Sequence, residues 1–257
     1  MIDIHSHILP DIDDGARTVE ESMEIIKNAS KNGVTDLIVT PHFILGSDYE
    51  ADNVTKRKLV TKLKRRITKE KLPINIYLGN EVFIENDMLK LKKDGLISTL
   101  NNSRYLLFEL PLNDKYIGAN DILFQLGCKG YKGIIAHPER YAIVKKDPSI
   151  VFDFIEKGAL IQCNIGSFFG HYGSKAKHAA ILLLKHHAIS FIGSDIHHSY
   201  SDYYDKLEEL KKLMRKYISE EEIEDILVNN ARKILKKEMI SEPKVKPLKK
   251  NIFGKWK

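Results

Sequence analysis

A parallel α/β barrel is the fold class this sequence predicts, and three observations predict it. Short apolar runs alternate with charged, amphipathic stretches of helical period along most of the chain. The alternation gives seven βα-like units in succession, which calls for a parallel sheet closed, or nearly closed, on itself. Nearly every apolar run ends in a histidine, aspartate or glutamate, at the strand end where barrels and open α/β sheets carry their chemistry.

The first run, Met1-Ile2-Asp3-Ile4, leads into His5-Ser6-His7, with Asp14 following. Alternate side chains of an extended strand share a side, so His5 and His7 can aim two imidazoles at one point. Thr18-Val19-Glu20-Glu21 opens a helix with a capping-box pattern, and Gly33 closes it. Leu37-Ile38-Val39-Thr40-Pro41 is the second strand and ends in His42. A long charged helix follows over 52–71, stopped by Pro73. The run from Ile74 to Asn80 ends in Glu81, Tyr105 to Phe108 ends in Glu109, and Gly133 to Ala136 ends in His137. Helical patterns over 87–93, 118–126 and 148–157 separate these runs from one another and from the next, Ala159 to Cys163. After a helix over 174–187, the last run, Ala188 to Ser194, ends in Asp195, with His197 two residues on. Helices over 202–217 and 219–237 complete one domain, residues 1–240, with a basic tail over 241–257 expected to be loose.

Composition narrows the class. With 257 residues, 43% hydrophobic and 30% charged, the chain is ordinary globular material with room for a full core. No apolar stretch approaches the ~20 residues a membrane helix needs, and MIDIHSHILP lacks the basic start of a secretory signal. Cys128 and Cys163 lie far apart in apolar surroundings and read as buried free thiols, which fits a reducing, cytoplasmic setting. Neither belongs to a Cys-x5-Arg loop. The net charge of +6 leans toward anionic partners, but runs such as Lys62-Leu63-Lys64-Arg65-Arg66 read as a solvated helix face, and no nucleic-acid motif accompanies them.

One polar residue at one strand end is only a polar strand end. A whole set of them is harder to attribute to solvation. Nitrogen and oxygen donors converging from many strands describe a multinuclear metal centre of the hydrolytic kind, open to Mn, Fe, Zn, Co or Mg. Arg140, three residues after His137, can offer a planar fork to phosphate oxygens. Arg17 can face the mouth of the site or merely solvate a helix start, and Asp13 can orient a histidine or hold the loop. His171, His178, His186 and His187 sit in helical or loop context and read as structural or solvated. His198 points away from the site if its segment is extended.

The assembled motifs resemble the PHP (polymerase and histidinol phosphatase) superfamily, and within it the bacterial protein-tyrosine phosphatases of capsule and exopolysaccharide systems. The residues that carry the resemblance are HSHILPDIDDG at 5–15, TPH at 40–42, GNE at 79–81, ELP at 109–111, HPERY at 137–141 and SDIH at 194–197. The resemblance implies a distorted seven-stranded (β/α)7 barrel of TIM-like form, with three divalent ions, Mn favoured, at its C-terminal face. Carried over by position, His5, His7, Glu81 and Asp195 would hold one ion, and Glu81, Glu109 and His137 the second, with Glu81 bridging. Asp14, His42 and His197 would hold the third. Catalysis is then expected to rest on Glu81, Asp195 and Arg140, with Arg140 and Arg17 facing the substrate phosphate. The implied substrate is a tyrosine-phosphorylated protein, a bacterial tyrosine kinase controlling polysaccharide export. A small-molecule phosphatase of the histidinol-phosphate type is the alternative. The tyrosine phosphatases that the chain resembles usually carry an arginine several residues after the last metal histidine, and His198-Ser199-Tyr200-Ser201-Asp202 has none.

Overall fold

The computed structural model describes residues 1–113, 118–248 and 256. Among the described residues there are nine strands: β1 (Ile2–Asp3), β2 (Asp36–Val39), β3 (His42–Phe43), β4 (Asn75–Leu78), β5 (Glu81–Phe83), β6 (Tyr105–Glu109), β7 (Lys132–Ala136), β8 (Leu160–Asn164) and β9 (Phe191–Gly193). Every pairing between them is parallel. They reduce to the seven expected segments because two strands are each interrupted once. Pairing of β2 with β4 ends at Val39–Leu78 and resumes between β3 and β5 at His42–Glu81. Thr40-Pro41 and Gly79-Asn80 fill the gap, where Pro41 has no N–H to give a ladder.

That interruption corrects the expectation of one continuous ring. The strands form a three-stranded group, β1-β2-β4, and a six-stranded group, β3-β5-β6-β7-β8-β9. A single parallel bridge, Ser6 to Ile196, links the first segment to the last, supported by His7 N donating to Ile196 O at 2.9 Å.

Period-two alternation sorts the strand residues into two cores. Leu106 and Phe108, Ile135, Ile161 and Cys163, and Ile192 face the helices in the larger cluster. Tyr105 and Leu107, Ile134 and Ala136, Leu160, Phe191 and Ile38 form a second, inner cluster, closed by Ala231 and Ile234 of the helix Asn230–Lys236 and by Ile240. Followed along the chain, the inner registers change from apolar to polar. Tyr105 and Leu107 lead to Glu109, Ile38 and Thr40 to His42, and Leu160 to Gln162 and Asn164. The inner face is thus an apolar plug below and a set of ligand-type side chains above.

The helices follow the sequence pattern at their starts. Thr18 caps Val19–Lys31, accepting from Glu21 N, an interaction of about 1 kcal/mol. Asp52 caps Asn53–Lys69 in the same way. Gly33, at φ +82°, takes the left-handed turn that ends the first of these helices. The two C-terminal helical patterns break into shorter pieces, Tyr204–Lys206 and Leu207–Met214, then Glu220–Glu224, Asp225–Asn229 and Asn230–Lys236. Two short helices, Ala142–Lys146 and Ile165–Phe169, had no counterpart in the apolar periodicity.

Cys163 is buried, as expected, but Cys128 is exposed at the end of the helix Ala119–Cys128. The described part of the tail is docked. Lys246 N donates to His186 O at 2.9 Å, and Val245 packs against the core. Most of the basic, aromatic end (249–255 and 257) lies outside the described residues. Among the described residues no helix is long and apolar enough to cross a membrane.

Candidate metal centre

The expected ligand positions meet at one end of the strands. His5, His7, Glu81 and Asp195 each bring a donor atom within 4.8 Å of the others; so do His7, Asp14, His42 and His197, and so do His42, Glu81 and Glu109. His137 joins through Nε2, 2.8 Å from Glu81 Oε1 and 3.8 Å from Glu109 Oε2. The grouping differs in detail from the one carried over by position: His7 also stands with Asp14, and His42 also stands with Glu81 and Glu109.

Outer hydrogen bonds fix which ring nitrogen faces the centre. His5 Nδ1 meets Gln162 Oε1 at 2.8 Å and His7 Nδ1 meets Asp13 Oδ2 at 2.9 Å. Both oxygens can only accept, so in the neutral rings the proton sits on Nδ1 and the Nε2 lone pairs point inward. Those two Nε2 atoms lie 3.1 Å apart, and both lie close to Glu81 Oε2, at 3.1 and 3.2 Å. His42 Nδ1 reaches the same oxygen at 3.1 Å. Glu81 Oε2 and His42 Nδ1 are nevertheless buried atoms without a hydrogen-bond partner. Lone pairs and a carboxylate oxygen converging on one small volume, with nothing donated between them, are the donor set a divalent cation satisfies.

The electrostatics point the same way. Burial alone would lower the His5 pKa, but Glu81 and Asp195 beside it raise it to about 9. His7 is likewise raised well above its ordinary value, against the same burial, by the Asp13, Asp195 and Glu81 carboxylates around it. Glu81 and Asp195 are held well below the carboxylate range: burial opposes this, and the surrounding histidines outweigh it. A hydrogen bond to His197 draws Asp14 down to about 2. The centre attracts positive charge strongly, and protons on the imidazoles are one way to supply it.

Two of these residues occupy costly backbone conformations. His137 has φ +34° and Asp195 has φ +52°, both in the left-handed region. At β7 this turn breaks the alternation, so His137 is presented inward directly after inward-facing Ala136. At Asp195 it overrides the extended geometry assumed for the following segment. His198 therefore lies at the rim of the same cleft, its Nδ1 3.5 Å from Glu21 Oε1, rather than pointing away.

The cleft above the centre encloses about 780 Å³ and is lined by Arg17, Arg140, Tyr49, Tyr172, Tyr200 and His198, among others. Arg140 donates through one terminal nitrogen to Asp195 Oδ2 at 2.7 Å, and its guanidinium stacks 4.3 Å over the Tyr172 ring. Arg17 is exposed at the mouth and its backbone N–H donates to Glu21. Asp13 orients His7, one of the two roles open to it, and also accepts from His42 N.

Four supporting residues escaped the sequence reading. Gln162 holds His5, and Asn164 donates to Asp195 Oδ2 at 2.6 Å. Glu139 accepts from Asn164 N and Ser167 Oγ, and Asp3 accepts from the backbone N–H of His5 and Ser194. The signal for Gln162 and Asn164 was present: two polar residues at i and i+2 in an otherwise apolar strand. The other histidines are peripheral: His187 pairs with Glu222, His186 contacts the tail, and His171 lies near Asp202.

Fold and site together define a class, a parallel α/β protein with a cluster of His and carboxylate side chains that could hold metal at the strand C-termini. The chain belongs to the CpsB/CapC family of capsular polysaccharide synthesis, whose model matches residues 1–236. It is 33% identical over 256 residues to the tyrosine-protein phosphatase YwqE of Bacillus subtilis (strain 168), covering 99% of each chain. It is 29% identical over 245 residues to the tyrosine-protein phosphatase CpsB of Streptococcus agalactiae, covering 93% of this chain and 100% of the relative. A solved chain from the crystal structures of YwqE from Bacillus subtilis and CpsB from Streptococcus pneumoniae, described as unique metal-dependent tyrosine phosphatases, matches with a TM-score of 0.89. Its identity is 31%, over 97% of this chain and 100% of that one.

Proposed function

We propose that this chain is a metal-dependent protein-tyrosine phosphatase acting in capsule or exopolysaccharide synthesis, working in the cytoplasm on a phosphorylated bacterial tyrosine kinase. The observation that carries the reading is the inward pair of Nε2 lone pairs on His5 and His7, facing the unpartnered Glu81 Oε2. Full-length similarity to phosphatases of that name supports the substrate class. The seven strand segments are read as a distorted barrel whose ends meet at Ser6 and Ile196.

Three divalent ions, Mn foremost, are assigned to the centre. His5, His7, Glu81 and Asp195 would hold one, Glu81, Glu109 and His137 a second, and Asp14, His42 and His197 a third. When bound, such ions supply a water activated for attack at neutral pH and positive charge against the phosphoryl oxygens. The protein's own contribution is position. Gln162 and Asp13 lock the rings of His5 and His7, and Asn164 and Arg140 lock one oxygen of Asp195, leaving Asp195 Oδ1 toward the histidines. Arg140, stacked on Tyr172 at the cleft wall, keeps donors free to receive phosphate oxygens. A tyrosyl leaving group, with a pKa near ~10, departs without a strong general acid. Tyr49, Tyr172, Tyr200 and Tyr203 along the cleft suit an aryl substrate.

Hydrolysis of a phosphotyrosyl peptide, measured beside histidinol phosphate, tests the reading. Activity should favour the peptide, vanish in EDTA and return with Mn(II), and His5→Ala or Glu81→Ala should lower turnover by several orders of magnitude in a folded protein. Full activity after exhaustive chelation would sink the metal centre. Preference for histidinol phosphate would replace the substrate class.

A further inference from the structure

Among the described residues Lys56 is the one lysine in the fully buried set, 1% exposed, and the mechanism above does not use it. It lies in the first turns of the helix Asn53–Lys69. Its Nζ donates to Asn80 Oδ1 and to Leu96 O, both at 2.7 Å, and lies 5.8 Å from the centre of the Phe43 ring. Both acceptors are uncharged. Burial lowers the ammonium to about 7, so the site offers little to the charged form. Packing alone does not call for an amine here, since a methionine would fill similar volume without the desolvation.

What Lys56 touches explains its place. Asn80 directly precedes Glu81, and Phe43 directly follows His42, and His42 and Glu81 are register partners across β3 and β5. Asn80 sits in the gap, where Gly79 N still donates to Val39 O at 2.8 Å and Glu81 N to Pro41 O at 3.2 Å, but Pro41 has no N–H to give in return. Its amide donates to Pro41 O at 2.9 Å, and its carbonyl oxygen accepts from both Lys56 Nζ and Ser98 N. Ser98 Oγ in turn donates to Asn53 Oδ1, at the start of the same helix. The network adds side-chain hydrogen bonds where Pro41 has no N–H to donate, at the step that delivers His42 and Glu81.

We propose that Lys56 is a positioning residue for the metal centre, acting through Asn80 and Phe43 to set how Glu81 and His42 stand toward each other. The inference rests on the metal reading of those two residues. Groups that hydrogen-bond a metal ligand typically govern affinity by 10–100-fold, and Lys56, which holds the residues next to two ligands, is expected to act at the lower end of that range.

The experiment is a titration of metal-free protein with Mn(II) by calorimetry, with the metal-free thermal midpoint recorded in parallel. Lys56→Met should keep or raise that midpoint, because it removes a buried amine, while weakening Mn(II) binding by roughly 10-fold. Lys56→Gln, one bond too short to serve both acceptors, should also weaken binding, and it decides the matter if the methionine variant does not fold. Parental Mn(II) affinity in either variant overturns the inference. So does a loss confined to variants whose metal-free form is itself destabilised. Failure of the parent to bind Mn(II) would overturn the underlying metal reading instead, and is seen without any variant.

Discussion

Arg140 shows how one residue can serve both scaffold and substrate. It pairs with Asp195 at 2.7 Å and rests on Tyr172, yet still lines the cleft. If its remaining donors hold the phosphoryl group, Arg140→Ala should cost roughly 2–4 kcal/mol of transition-state stabilisation, as for other preorganised donors. Lysine should restore only part, because a point charge neither stacks nor forks. The segment after His197 places His198 and Tyr200 at the rim, with no arginine to share the task. Measured as kcat/KM on a phosphotyrosyl peptide with metal content checked, parental values would make Arg140 a scaffold residue only. At this scale the ligand-type residues were legible because each ends a strand or follows closely on one. Glu139 and Asp3 were not, because they accept from backbone N–H groups and a side chain of segments far away in sequence.

Elements set the approach of those residues, and the loop after β1 does so through one close contact. A Cβ built on Gly15 would lie 2.0 Å from His7 O and 2.7 Å from His7 Cβ. The loop folds back there, with Ala16 N donating to His7 O at 3.0 Å and Asp13 reaching His7 Nδ1. Gly15→Ala must therefore push the loop off the strand end, moving Asp13 and Asp14 away from the histidines they serve. Loss of Mn(II) affinity by at least the ~10-fold expected of a displaced supporting group is the expected outcome, with far-UV circular dichroism unchanged. Parental affinity would mean the loop is not a determinant of the centre. The strand and helix order was readable from periodicity, and Thr18 and Asp52 marked helix starts through their capping chemistry. The paired interruptions at Thr40-Pro41 and Gly79-Asn80 were not readable, since repair of the gap depends on Lys56 from another element. The left-handed turns at His137 and Asp195 were equally hidden, because backbone strain of this kind is imposed by tertiary packing.

For the whole molecule, the same cluster links metal, protons and stability. Without metal, the folded chain raises the His5 pKa to about 9, against roughly 6.5 for an unperturbed histidine, and raises His7 as well. A raised folded pKa contributes stability that is fully present below the unfolded value and is lost as pH rises through about 9. Asp14, lowered to about 2, has the opposite sign: its contribution is present above the ordinary carboxylate pKa and lost only as pH falls toward 2. Between about pH 6.5 and 9 the histidines therefore dominate, and the metal-free protein should lose stability with rising pH. Metal binding requires those same nitrogens unprotonated, so each ion competes with protons at low pH and is released from that competition as pH rises. The increase in thermal midpoint on adding Mn(II) should accordingly grow from pH 6.5 to 9, and binding should release protons to the buffer. Calorimetric titration in buffers of different ionisation enthalpy measures the protons, and thermal unfolding with and without Mn(II) measures the gain. A gain that is flat or falls over this range, with no proton release, would show that the ions do not displace protons from His5 and His7, and the ligand assignment at the first strand would have to be given up.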